Sequence, residues 1–356
     1  MSGVWGNKVK YSIFGESHGK GVGVNIDGLP SGVKLDLDAI NFEMERRAPG
    51  QDNISTTRSE KDEFEIISGY FNEKTTGTPL CAIIWNTDMQ SKDYEELKNI
   101  VRPGHADYTG SVKYSGFNDY RGGGHFSGRL TSPLVFAGAI AKQILKEKEI
   151  EIGAHIYRIA DIYDDPFDKV NINSELLKTI SQRKFSVMDH NKGAEMITAI
   201  LSAKDKNDSV GGVVECAILN LPEGLGSPFF DSVESLLAHL LFSIPGVKGV
   251  EFGTGFDMAE LSGSEANDEF FMDEDKVKTF TNHNGGILGG ITNGMPVVFK
   301  AAFKPTASIS KLQKTIDISK RENTVLTVKG RHDPCIVQRA LPVVEAAAAM
   351  VILELL

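Results

Sequence analysis

The chain has 356 residues, 41% of them hydrophobic and 24% charged, and a formal net charge of −10. That composition supports a folded protein with a sizeable core, and the acidic balance argues against a general nucleic-acid binder. Its three cysteines, Cys81, Cys216 and Cys335, lie far apart with no C-x-x-C pair, so neither a disulfide framework nor a zinc knuckle is expected.

The N-terminal stretch MSGVWGNKVKYSIFG has no apolar core of a signal peptide. Lys8 to Phe14 predicts a short strand running into Gly15-Glu16-Ser17-His18-Gly19, a turn that delivers three reactive side chains between glycines. A phosphate-binding P-loop is excluded there, because the spacing is one residue short and Gly21 stands where Ser or Thr is required. Gly21 to Gly32 reads as a strand and a Gly/Pro turn. Asp36 or Asp38 then caps a helix ending at Arg46-Arg47 and closed by Ala48-Pro49-Gly50. Strands are predicted around Phe64 to Ile67 and Leu80 to Trp85, and Asn86 to Asn99 is polar and reads as surface. Arg102-Pro103-Gly104-His105 sets a second imidazole beside Arg102 and Asp107. Arg121 to Pro133, RGGGHFSGRLTSP, joins three glycines to His125, Ser127 and Arg129, with Ser132-Pro133 opening an apolar helix from Leu134 to about Lys146.

Ile150 to Ile162 alternates like a strand, and Ala194 to Ala203 reads as helix. Gly211 to Gly226 repeats the plan of Gly21 to Gly32, a glycine-led strand and then Leu-Pro-x-Gly, and each copy precedes an Asp-initiated amphipathic helix, the second being Asp231 to Phe242. The repeat predicts two halves built alike, each packing a helix on an antiparallel sheet. Thr281 to Gly294 carries five glycines, which suit either two hairpins or backbone packed against a flat group. Val297 to Phe303 is a strand ending in Lys304 to Lys311, and Gly330 to Pro334 places Arg331, His332 and Asp333 at a turn. Val343 to Leu356 reads as a buried helix whose apolar stretch is too short to span a bilayer. No Pro/Ser-rich linker divides the chain, so one domain over residues 1–356 in the cytoplasm, with no nucleic acid and no membrane, is expected.

Four distant segments, 15–19, 102–107, 121–129 and 330–334, share glycines and a histidine or carboxylate, and the last three each carry an arginine. Arginine forks bind phosphate and carboxylate bidentately, so Arg46, Arg47, Arg58, Arg102, Arg121, Arg129 and Arg331 are candidates for an anionic pocket. No metal-ligand spacing and no G-x-S-x-G elbow is present. The residues themselves point to an acid/base site for a multiply anionic substrate, with room for a flat cofactor.

The ordered motifs GESHGKGVGVNIDGLPSG, RPGHADYTG, YRGGGHFSGR, NHNGGILGGI, KPTASI and GRHDPC closely resemble the chorismate synthase family over nearly the whole chain. The resemblance implies an α+β fold, a β-α-β sandwich with helices packed between two antiparallel sheets and internal pseudo-symmetry, assembled as a homotetramer. It implies the last step of the shikimate pathway, the anti-1,4-elimination of phosphate and a ring proton from 5-enolpyruvylshikimate 3-phosphate to give chorismate, dependent on reduced FMN. It implies His18 as proton donor to the leaving phosphate, His105 at the N1/C2 carbonyl region of the flavin, and Asp333 as acceptor of the ring proton relayed through flavin N5. Ser17, Arg46, Arg47, Arg102, Ser127, Arg129 and Arg331 would grip the substrate. FMN would touch His125, Phe126, Ser127, Pro245, Gly246, Gly289, Lys304, Pro305, Thr306, Ala307, Ser308 and Arg331.

The chain departs from the family pattern at one loop. The usual RGGGRSSARET reads RGGGHFSGRLT here, so His125, Phe126 and Leu130 replace an arginine, a serine and a glutamate. An imidazole is charged only below about pH 6.5, which predicts weaker or more pH-sensitive FMN binding. Gln51-Asp52-Asn53 also stands near where many bacterial members carry an arginine assigned to NADP. With no dinucleotide fingerprint, NADPH is expected to act only indirectly, through an external flavin reductase. A flavin reductase using the same pocket, and a non-catalytic flavin- or phosphate-binding protein, are the alternatives.

Overall fold

The computed structural model describes residues 3–50, 54–56, 60–87, 98–328, 330 and 332–356. The chain divides into two compact units, each assembled from three separate stretches: Met1–Ala137, Ile197–Gly211 and Pro305–Arg339 in the first, and Gly138–Met196, Gly212–Lys304 and Ala340–Leu356 in the second.

The first unit is built on a five-stranded antiparallel sheet with strands in the order Val4–Trp5, Lys10–Gly15, Gly21–Asp27, Leu80–Trp85, Phe64–Ser68. Its central strand alternates small and β-branched residues, and Val22, Val24 and Ile26 are fully buried. Phe14 stands opposite Gly23, and its ring fills the space that a side chain at Gly23 would need. The helix Leu37–Arg47 is capped by Asp36, whose Oδ1 accepts from the amides of Asp38 at 3.0 Å and Ala39 at 3.1 Å. Of the two caps the sequence allows, the first is used. Ile40, Met44 and Arg47 form its buried face at helical spacing. The polar stretch after Lys311 is a regular hairpin, Leu312–Asp317 with Glu322–Thr327, anchored where Leu326 and Val328 pack with Ile100.

The second unit holds another five-stranded antiparallel sheet, in the order Val247–Phe252, Val297–Phe303, Gly212–Leu219, Glu151–Ile159, Ile162–Tyr163. The internal repeat seen in the sequence falls on matching places. Gly21–Asp27 and Gly212–Leu219 are each the middle strand of their sheet, and Leu37–Arg47 and Val233–Ser243 are each 11-residue helices. The second helix starts two residues later than expected, because Ser232 rather than Asp231 caps it, its Oγ accepting from Ser235 N at 3.0 Å.

Mixed helix and antiparallel sheet make the fold α+β. The C-terminal helix spans Val337–Leu355 and includes Pro342, so it begins six residues upstream of the expected Val343. Ala346 to Ala349 are all buried, and a Cβ at Gly138 would meet Ala346 Cβ at 2.2 Å. Small residues thus let this helix lie directly on Thr131–Lys146. Among the described residues, no helix is long and apolar enough to cross a membrane.

Candidate active site

The site is organised in the first unit by a hairpin turn. Strand Lys10–Gly15 ends at Gly15, whose φ of 101° and the carbonyl of Gly21 leave no place for a side chain. The chain then turns through Glu16, Ser17, His18 and Gly19, closed by Gly19 N to Glu16 O at 3.0 Å, and re-enters the sheet at Gly21. Ser17 is fully buried and His18 is 6% exposed.

The glycine run lies against this turn. Gly122, Gly123 and Gly124 all have positive φ, 59°, 83° and 55°, which other residues adopt only with strain. A Cβ at Gly122 would stand 2.3 Å from His18 Cδ2 and 2.9 Å from Ser17 Oγ, and one at Gly123 would stand 2.8 Å from His105 Cε1. Gly124 O accepts from Ser17 N at 3.1 Å. The loop therefore brings the two histidines, which are 87 positions apart in sequence, to one stretch of bare backbone.

His105 is held from behind. Its Nδ1 lies 3.0 Å from Asp107 Oδ1 and 3.1 Å from Arg102 Nη2. A carboxylate can only accept and a guanidinium only donate, so Nδ1 serves Asp107 when protonated and Arg102 when bare. Arg102 donates to Asp107 through Nε at 2.8 Å and Nη2 at 2.7 Å, and to Ser308 Oγ through Nη1 at 3.2 Å. Burial works to raise the Asp107 carboxyl, but hydrogen bonds from Arg102 and His105 outweigh it and hold the group well below the usual carboxylate range. Asp107 is therefore ionised at neutral pH and balances the Arg102 guanidinium beside it.

Arg47 and Arg129 are both bound to protein groups. Both are 4% exposed, and both donate to Asp62, which is 3% exposed. Arg129 also lies 3.3 Å from Glu60, while Arg47 donates to Gly128 O at 3.1 Å and Thr131 Oγ1 at 3.1 Å. Burial tends to raise the Asp62 carboxyl, and the two guanidinium groups more than reverse that. Their forks are thus committed to protein carboxylates and to the loop backbone. Arg46 bonds Glu43 at 2.7 Å, and Arg121 makes a two-point bond to Asp119 at 2.9 and 2.7 Å.

Asp333 accepts from Thr56 N at 2.9 Å and pairs with Arg339 Nη1 at 2.6 Å, and Arg339 Nε reaches Arg47 O at 3.0 Å. Ser127 Oγ accepts from Arg129 N at 3.3 Å, capping the short 3-10 turn Gly128–Leu130 that precedes the helix Thr131–Lys146. That cap lies upstream of the expected Ser132. His125 is exposed, and its Nδ1 donates to Gly15 O at 2.9 Å. Phe126 packs its ring over Gly110, in the helix Asp107–Lys113, where a Cβ would meet Phe126 Cε2 at 2.6 Å.

The candidate flavin contacts are divided between the units. Pro305 to Ser308 belong to the first, and Pro245, Gly246, Gly289 and Lys304 to the second. Within the second, Lys304 N donates to Gly246 O at 2.9 Å, while Gly289 sits in the turn of the short hairpin Ile287–Leu288 with Ile291–Thr292. Arg331, Arg58 and the Gln51 to Asn53 segment lie outside the described residues, as does most of the polar stretch from Asn86 to Asn99.

Asp62, Asn86 and Arg339 were missed in the sequence. Asn86 was assigned to a surface segment, yet it is buried. Asp62 lies in the charged run SEKDE, which resembles any solvated stretch.

Two imidazoles on one bare backbone, backed by a buried carboxylate and several buried guanidiniums, suit acid–base chemistry on an anionic substrate. The comparisons with known proteins agree with that class and narrow it. The family model described as chorismate synthase matches residues 9–356. Chorismate synthase of Thermococcus kodakarensis is 47% identical over 349 residues, 98% of this chain and 96% of that protein. Chorismate synthase of Dehalococcoides mccartyi is 46% identical over 355 residues, 100% of this chain and 96% of that protein. A crystal structure of chorismate synthase superposes with a TM-score of 0.76 at 30% identity, covering 99% of this chain and 92% of that one. The chain belongs to the chorismate synthase family, carbon–oxygen lyases of the shikimate pathway.

Proposed function

We propose that the chain converts 5-enolpyruvylshikimate 3-phosphate to chorismate and inorganic phosphate by anti-1,4-elimination, in the presence of reduced FMN. The observation that carries this reading is the placement of Gly122 and Gly123 directly against His18 and His105, beside a buried Ser17 hydroxyl with no hydrogen-bond partner among the described residues. A buried, unsatisfied hydroxyl costs stability unless a ligand completes it. The glycine backbone leaves open the space that such a ligand, an anion or the edge of a flat ring, requires. These residues fit both the substrate and the flavin.

In the reaction a C–O bond to phosphate and a C–H bond on the ring break, and a conjugated diene forms without net oxidation. His18 gives its proton to the departing phosphate, which leaves more readily as its charge is met. Ser17, Arg102, Ser127 and Arg331 hold the phosphate and carboxylates. Arg46, Arg47 and Arg129 add positive charge for the substrate's phosphate and carboxylates, and Arg47 and Arg129, both bound to Asp62, also hold the loop in place. Asp333 takes the ring proton. An anti elimination sends its two leaving parts from opposite faces of the ring, so acid and base come from different segments, here the 16–19 turn and the segment of Asp333 just before the C-terminal helix. His105 stays in place through a change of protonation, because Nδ1 has a partner for either state.

His125 to Ser127, Pro245, Gly246, Gly289, Lys304 to Ser308 and Arg331 would hold the FMN. When bound in its reduced form, FMN supplies transient electron density to the substrate. Reduced flavin comes from an external reductase, with NADPH acting only through that enzyme. The unpaired cysteines Cys81, Cys216 and Cys335 suit a reducing cytoplasm. The strongly exposed Phe229, Phe230 and Phe256 of the second unit support assembly of several copies, four by family likeness. Residues 1–356 act as one functional domain, since both units draw on alternating stretches of chain.

The test is anaerobic. The protein is mixed with photoreduced FMN and 5-enolpyruvylshikimate 3-phosphate, and chorismate absorbance and phosphate release are followed. Equal amounts of both, with no NADPH added, are expected. Flavin binding with no chorismate, or NADPH consumption independent of the substrate, would overturn the reading.

A further inference from the structure

We propose that Asn86 is a positioning residue that sets the 16–19 turn, and through it His18, for proton transfer. The inference rests on the reading above, in which His18 is the proton donor.

Asn86 follows the strand Leu80–Trp85, whose last residue pairs with Gly21, so it arrives directly behind the turn. Its backbone N donates to Lys20 O at 3.1 Å, and the residue is 8% exposed. Its Nδ2 donates to Glu16 O at 3.1 Å and to Gly19 O at 2.9 Å, the two carbonyls on either side of Ser17 and His18. Its Oδ1 accepts from Arg129 Nε at 2.9 Å. The orientation of the amide follows from its partners, since two carbonyls can only accept and a guanidinium can only donate. One side chain must therefore offer two N–H donors and one acceptor within a few ångströms. An amide does this, and glutamine is one methylene too long for the same anchor point.

The chain of contacts continues past Asn86. Arg129 is fixed by Asp62 and Glu60, and it lies five residues after Gly124, whose carbonyl holds Ser17 N. The turn is thereby tied to the same loop at two places, once directly through Gly124 and once through Asn86 and Arg129. His18 touches the loop at Gly122, between those ties. Without the amide, Gly19 O loses its Nδ2 donor and Glu16 O loses one of its two donors, so the turn is loosened on both sides of Ser17 and His18. A displacement of about 1 Å at a reacting group costs on the order of a hundredfold in rate.

Two variants separate this role from that of a simple acceptor for Arg129. Asn86→Asp retains an oxygen for Arg129 but cannot donate to Glu16 and Gly19, whereas Asn86→Ala loses both. The expectation is a fall in kcat of about tenfold to a hundredfold in both variants, with a smaller change in KM. A second readout needs no substrate. With histidine labelled at the imidazole carbons, the His18 signal, assigned by its loss in His18→Gln, should shift and titrate differently in Asn86→Asp while the signals of His155 and His283 stay in place. A wild-type kcat and an unmoved His18 signal in Asn86→Asp would overturn the proposal and leave Asn86 as an acceptor for Arg129 alone. If the native chain forms no chorismate, the functional reading fails by itself, and the His18 signal still decides whether Asn86 sets the turn.

Discussion

Gly122 lies so close to His18 that a Cβ on it would stand 2.3 Å from the imidazole Cδ2 and 2.6 Å from Nε2. Its φ of 59° would strain any other residue as well. Gly122→Ala therefore displaces the histidine or twists the loop, at about 1–3 kcal/mol of backbone strain. Turnover is expected to fall at least about a hundredfold with the protein still folded. Gly128→Ala is the control, because a Cβ there meets nothing within 4 Å. Equal activity of the two variants would sink the placement of His18 against the loop.

Asp333 is tied to Arg339 and Thr56, so its carboxylate is oriented before any ligand arrives. Asp333→Asn preserves the shape and an acceptor for Thr56 N but removes the base. FMN binding measured by fluorescence quenching should change little, and turnover should drop at least about a hundredfold. Normal turnover would remove Asp333 from the mechanism.

Asp107 gives a pH dependence with a defined sign. Its carboxyl is held low in the folded state, against about 3.9 in an unfolded chain. Its contribution is complete above about pH 4 and is lost as the pH falls below that, through the lowered folded-state value. Asp107→Asn leaves the buried Arg102 without its charge partner and should destabilise by about 3 kcal/mol at pH 7. In urea unfolding across pH 2.5 to 7, the gap between wild type and variant should be constant at neutral pH and narrow below about pH 4. A gap that stays the same at pH 2.5 would contradict the assignment.

Phe126 and Gly110 should be coupled. The Phe126 ring occupies the space over Gly110, so Gly110→Ala alone forces a clash, although alanine is favoured over glycine in a helix by about 1 kcal/mol. In a Phe126→Ser background that clash is gone, and Gly110→Ala should become neutral or stabilising. A double-mutant cycle by thermal unfolding reads the non-additivity. Additive effects would show that the ring does not rest there.

Much of the scaffold was readable before any coordinates. Strands such as Leu80–Trp85 and Val297–Phe303, and the matching glycine-led strands of the two halves, are written in local periodicity and in glycine and proline punctuation. The helix starts differ by a residue or more from those expected, at Thr131 and behind Ser232, because several hydroxyl or carboxylate residues near each start could cap and packing selects among them.

By itself the sequence determined the family, the α+β class, the reactive residue types, and the loops that carry them. It could not say which carboxylate each arginine meets. Arg102 is held by Asp107 of its own motif, whereas Arg47 and Arg129 are held by Asp62, a residue with no local signal. Only tertiary structure decided that Asn86 is buried behind the His18 turn, that Asp333 meets Thr56 across 277 positions, and that Arg102 meets Ser308 across 206. The physical reason is that hydrogen bonds and ion pairs depend on distance in space. Spacing along the chain records only the partners that a strand, turn or helix brings together locally.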